Sequence, residues 1–120
     1  MRIAAQVVDC TYGRSAAGVR ARLERAGDDG WAAVAEAETN PDGCIEAWDG
    51  RLPGRGLYRV IFDSDGYFAG LGASTAYPEV VIIFRTGNDS DGCRVHVTLS
   101  PYSYSAHVVP WAPGHAQPPG

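Results

Sequence analysis

Two runs in the C-terminal part of this chain, residues 94–99 (RVHVTL) and 102–109 (YSYSAHVV), carry β-branched and aromatic residues at strand density. Ser100-Pro101 separates them, and a proline there suits a bend or strand start where no ladder donor is needed. Side chains alternate between faces along a strand. Arg94, His96 and Thr98 therefore share one face of the first run, while Val95, Val97 and Leu99 share the other. The apolar set is expected to face a core. That leaves an arginine and a histidine pointing together at something else, of which solvent is the simplest.

The rest of the chain repeats this grammar. Residues 3–8 read as a first strand, closed by Asp9 and the turn residues around Gly13. Residues 19–25 set Val19, Ala21 and Leu23 against Arg20, Arg22 and Glu24, a period of two. The turn signal GDDG at 27–30 leads into a third strand, 31–37, with Trp31, Ala33, Ala35 and Ala37 expected on one face. NPDG at 40–43 is another turn, followed by a short edge strand at 44–48 and a Gly/Pro loop at 49–56. Residues 57–62 read as a central strand, 66–76 as the only short helix, 80–85 as a strand and 86–92 as a polar turn. Short strands at regular spacing predict an all-β, two-sheet β-sandwich with one short helix. The domain is expected to cover 1–109. Residues 110–120, with four prolines and two glycines, are expected to be an extended or disordered tail.

With 120 residues the chain is one domain that can bury a real core. A net charge of -4 gives no electrostatic reason to expect nucleic acid or an anionic membrane as partner. All ten basic residues are arginine, which reads as the coding bias of a GC-rich, bacterial genome. Cys10, Cys44 and Cys93 are odd in number and lack CxxC spacing, which argues against a disulfide framework or structural zinc. No cofactor and no metal site is expected. Neither a secretory leader nor a membrane span is expected, so the cytoplasm is the expected location.

LSPYSYS at 99–105, VVDCTYGRSAAGVRARLER at 7–25, DDGW, TNPDG, LYRVIFDSDGYF and YPEVVIIF together resemble the transthyretin superfamily. That family includes transthyretin and the bacterial 5-hydroxyisourate hydrolases, and the resemblance spans residues 3–109. It implies a transthyretin-like (prealbumin-like) sandwich and a homotetramer built as a dimer of dimers, with a channel between the dimers. In the hydrolases it implies an active site of one histidine on the first strand, an arginine after the DG turn, a histidine on the penultimate strand and a C-terminal Tyr-Arg-Gly-Ser. Position by position these fall on Gln6, Cys44, Arg94 and His107-Val108-Val109-Pro110. All four elements are replaced. Gln6 keeps hydrogen bonds but cannot act as a base near neutral pH, Cys44 loses a fixed cation, and Arg94 is a cation that never serves as a base.

The resemblance further assigns a channel lining of Gln6, Val8, Cys44, Arg94, His96, Thr98, Ser105 and His107, to which Tyr104 is added as a ligand contact. This set is polar and cationic, suited to a small anionic or enolisable molecule. Arg94 would hold the anion, His96 and His107 would move protons, and Cys44 is a candidate nucleophile, with a small apolar filler as its plainer role. Cys44, His96 and His107 have no metal-site spacing. Asp9 and Asp42 are read as turn formers, and Cys10 and Cys93 as packing residues. Three functions follow in order: a cofactor-free enzyme performing ring closure, ring opening or isomerisation in small-molecule, possibly specialised, metabolism; a non-catalytic binding protein; and a retained hydrolase with a rearranged site.

Overall fold

Strict alternation on the strand around Val97 decides how the molecule is layered. In a computed structural model, which describes residues 1–48, 52–86 and 92–110, that strand buries every second side chain. The elements run β1 (Arg2–Asp9), β2 (Arg14–Ser15), β3 (Arg20–Gly27), β4 (Gly30–Glu38), β5 (Cys44–Ile45), β6 (Leu57–Phe62), α1 (Ser64–Gly70), β7 (Val80–Arg85), β8 (Gly92–Ser100) and β9 (Ser103–Pro110). They form two sheets. One has the order β2-β1-β8-β9, with β5 also on β1, and the other has the order β4-β3-β6-β7. β1 and β8 are parallel, while every other pairing is antiparallel.

The core lies between the sheets. Ile3, Ala5, Val7, Val95, Val97 and Leu99 from the first meet Leu23, Tyr58, Val60, Phe62, Val80 and Phe84 from the second. Fully burying each of the larger side chains contributes roughly 1.5–3 kcal/mol relative to exposure. The helix caps one end. Asp63 accepts a hydrogen bond from the Gly66 amide at 2.9 Å, Phe68 is buried in the core and Ser64 Oγ donates to the Tyr77 carbonyl at 2.5 Å.

β6 and β7 have the expected bounds, 57–62 and 80–85. Other expectations shift. The helix occupies 64–70 rather than 66–76, because the Asp63 cap starts it early and Gly72, at φ +73°, follows its end. The edge strand at 44–48 shortens to two residues paired with β1. The single face of Trp31, Ala33, Ala35 and Ala37 is broken by a bulge. Leu23 pairs with Ala35 but Glu24 pairs with Ala33, so Val34 is the extra residue and the faces swap there. Trp31 ends on the outer face, under the Arg59 guanidinium at 4.5 Å. β9 extends to Pro110, opposite Cys93, one residue into the expected tail. Residues 111–120, 87–91 of the polar turn and 49–51 of the Gly/Pro loop lie outside the described residues.

Candidate functional site

The outer face of the five-stranded sheet gathers most of the predicted site residues. One transverse row crosses four strands: Cys44 on β5 pairs with Gln6 on β1, Gln6 with His96 on β8, and His96 with His107 on β9. The next row on one side holds Ala4, Arg94 and Val109, and on the other Val8, Thr98 and Ser105. Gln6, Val8, Cys44, Arg94, His96 and Thr98 are half-buried, whereas Ser105 and His107 are exposed.

A glycine positions the Cys44 end of the row. Gly43 has φ +75°, and its carbonyl accepts from the Val7 amide at 2.8 Å. A Cβ there would meet the Val7 carbonyl oxygen at 2.5 Å, so only glycine brings the turn this close to β1. Cys44 then docks opposite Gln6. Its amide donates to Asn40 Oδ1 at 2.9 Å, and its thiol contacts the Asp42 carbonyl at 3.6 Å.

The two imidazoles are the focus of the row. The His96 and His107 rings stack with centroids 4.7 Å apart and planes 8° from parallel. Burial, then the facing His107, then Arg94 lower the His96 pKa below its ordinary 6.5. Each influence disfavours the same charged form, so His96 favours its neutral form. Arg94, two residues before it on the same face, lies 3.4 Å from Glu46 Oε1. Arg2 takes the other oxygen of Glu46 at 2.6 Å. The carboxylate holds the guanidinium at the edge of the face and offsets part of its charge.

Tyr104 does not line this face. It pairs with Leu99, a core-facing residue, and its ring packs edge-on against Tyr77 at 5.0 Å. Cys10 is exposed rather than packed, whereas Cys93 is buried and its thiol is pushed up to about 11 by that burial. Asp9 is more than a turn former. Its fully buried carboxylate accepts the Thr11 and Tyr12 amides and, at 2.6 Å, the Tyr67 hydroxyl. Burial first, then that hydrogen bond, push Tyr67 up to about 12. Glu46 was not anticipated either, although its place two residues after Cys44 put it within one alternation of the same face. Among the described residues no group of three His, Cys, Asp or Glu side chains converges as a metal site, since Gln6 stands between Cys44 and His96.

Comparison with known proteins follows the same outline. The model of the HIUase/Transthyretin family matches residues 3–108. The chain is 32% identical over 106 residues to a 5-hydroxyisourate hydrolase of Salmonella dublin, covering 88% of this chain and 78% of that one. It is 35% identical over 107 residues to a 5-hydroxyisourate hydrolase of Deinococcus radiodurans, covering 84% and 89%. In fold it is similar to the crystal structure of transthyretin from Sparus aurata, with a TM-score of 0.82, 24% identity and coverage of 90% and 96%.

Proposed function

The chain belongs to the HIUase/transthyretin family, and on that premise we propose that it is a cofactor-free enzyme repurposed from 5-hydroxyisourate hydrolysis. It acts by acid–base chemistry on a small anionic or enolisable molecule at the outer face of the five-stranded sheet. The stacked His96–His107 pair beside Arg94 is the observation that carries this reading. His96, held neutral, removes a proton from the bound molecule, and Arg94 holds the oxyanion or enolate that develops. His107, exposed at the strand edge, returns a proton to the product. Ring closure, ring opening and isomerisation all fit this division of labour.

Hydrolysis of 5-hydroxyisourate, the activity in the relatives' names, fits less well. The position that would supply a base on β1 is Gln6, and the position after the DG turn is the uncharged Cys44. Purified protein is expected to leave 5-hydroxyisourate decaying at its spontaneous rate. A turnover of about 1–10³ per second, usual for enzymes, would overturn the repurposing and leave a hydrolase with a rearranged site.

The acid–base reading itself is tested by screening small carboxylates, enols and lactams for binding and conversion. With any compound turned over, His96→Ala should lower kcat by roughly 10²-fold or more. Arg94→Ala should weaken binding about ten- to a hundredfold, the loss of one charge-assisted contact. If a ligand binds, is never converted and keeps its affinity in His96→Ala, the protein is a carrier and the catalytic reading is wrong.

A further inference from the structure

The His96–His107 geometry points to a second use of the pair, as a two-histidine chelate for a borderline divalent metal ion such as Zn²⁺, Ni²⁺ or Cu²⁺. The two residues are directly opposed on antiparallel strands, β8 and β9, and their rings lie 4.7 Å apart and within 8° of parallel. Two imidazole nitrogens bound to one ion at about 2.0–2.1 Å stand roughly 3 Å apart. The in-plane nitrogen lone pairs of two nearly parallel rings point side by side, so binding one ion requires both rings to swing about χ1 and χ2 until the lone pairs converge, a side-chain motion that leaves the strands in place. The sheet fixes the two Cα positions and thereby limits the ordering that binding would cost.

The surroundings favour nitrogen-seeking ions. Gln6 flanks His96 on β1 and brings an amide, not a carboxylate, and Thr98 follows on β8. The charged groups nearest along this face are Arg94 and the Glu46 that it shares with Arg2. Hard, oxygen-seeking Mg²⁺ and Ca²⁺ find no anionic oxygen in the row itself. This site does not depend on the catalytic reading. A bound ion would, however, occupy the nitrogens that the proton transfers use, so the two uses exclude each other.

Calorimetric titration of the intact protein with ZnSO₄ or NiCl₂ alone, with no organic ligand, decides the matter. One ion per His96–His107 pair is expected with affinity in the micromolar range, and no heat is expected from MgCl₂. His96→Gln and His107→Gln should each weaken binding at least tenfold. His115→Ala, which alters the remaining histidine, should leave it unchanged. Lowering the pH should weaken binding, because only a deprotonated imidazole nitrogen ligates a metal ion. No saturable Zn²⁺ or Ni²⁺ binding by folded native protein, or binding that survives both glutamine variants, would overturn the chelate. Either result leaves the acid–base reading standing, because turnover is measured separately and without metal.

Discussion

At the scale of single residues, His96 links the site to stability. Its folded pKa lies below the unfolded value near 6.5, through burial, His107 and Arg94 in that order. Between those two values the unfolded chain binds more proton than the folded one. The stabilising contribution is therefore complete above about 6.5 and is lost as pH falls towards the folded value. The urea midpoint is expected to drop between about pH 7.5 and 5.5 in native protein and to change less in His96→Gln. Glu24 does not confuse this window. Burial pushes its carboxyl up, but hydrogen bonds and charge from Arg59 and Arg22 outweigh it and hold the group below its usual 4.5. Its contribution is lost only at more acid pH. An equal midpoint shift in His96→Gln would show that the histidine does not carry the effect.

At the scale of an element, β8 serves two faces that do different work. Val95, Val97 and Leu99 are at most 1% exposed, while Arg94, His96 and Thr98 are half-buried on the other side. Leu99→Ala should cost about 2–5 kcal/mol, as a cavity in a packed core does. Thr98→Ala should stay within about 0.5 kcal/mol, since it leaves no cavity in the core. Denaturant midpoints of the two variants, measured side by side, check the assignment of faces. Comparable losses would contradict it. The turn before β5 makes a separate demand. Gly43→Ala places a Cβ on the Val7 carbonyl at a left-handed φ, and should cost more than about 1 kcal/mol in the same measurement.

At the scale of the whole molecule, β9 forms one edge of its sheet and, among the described residues, pairs with β8 alone. Seven of its eight residues are exposed, Val109 and Tyr104 among them. An open edge of this length with apolar side chains is an aggregation hazard that native proteins cover. A second copy covering it, and two such pairs closing a channel over the His96 row, would form the expected homotetramer. Light scattering at micromolar concentration should therefore report four copies. A stable monomer would contradict that assembly and leave the row as an open sheet face.

Local pattern alone determined much of this protein. The alternation of β8 and the sandwich class follow from period-two runs broken by turn residues, because the side a strand residue faces depends only on its own neighbours in sequence, and the limits of β6 and β7 follow from β-branched and aromatic content between turns. Part of the site was also within reach. Counting outward from the turn at Pro101 and Tyr102 sets His107 opposite His96 and Tyr104 opposite core-facing Leu99, so both placements follow once the turn is identified. The rest needed the tertiary structure. The pairing of β5 with β1 sets Cys44 beside Gln6, and the carboxylate of Glu46 reaches both Arg2 and Arg94 across 44 and 48 residues. The bulge at Val34 reverses the faces of β4, and Asp9 buries its carboxyl group against a tyrosine 58 residues away. Periodicity reports which way a side chain points, but what it meets there is set by strand register and sheet order, which only long-range pairing decides.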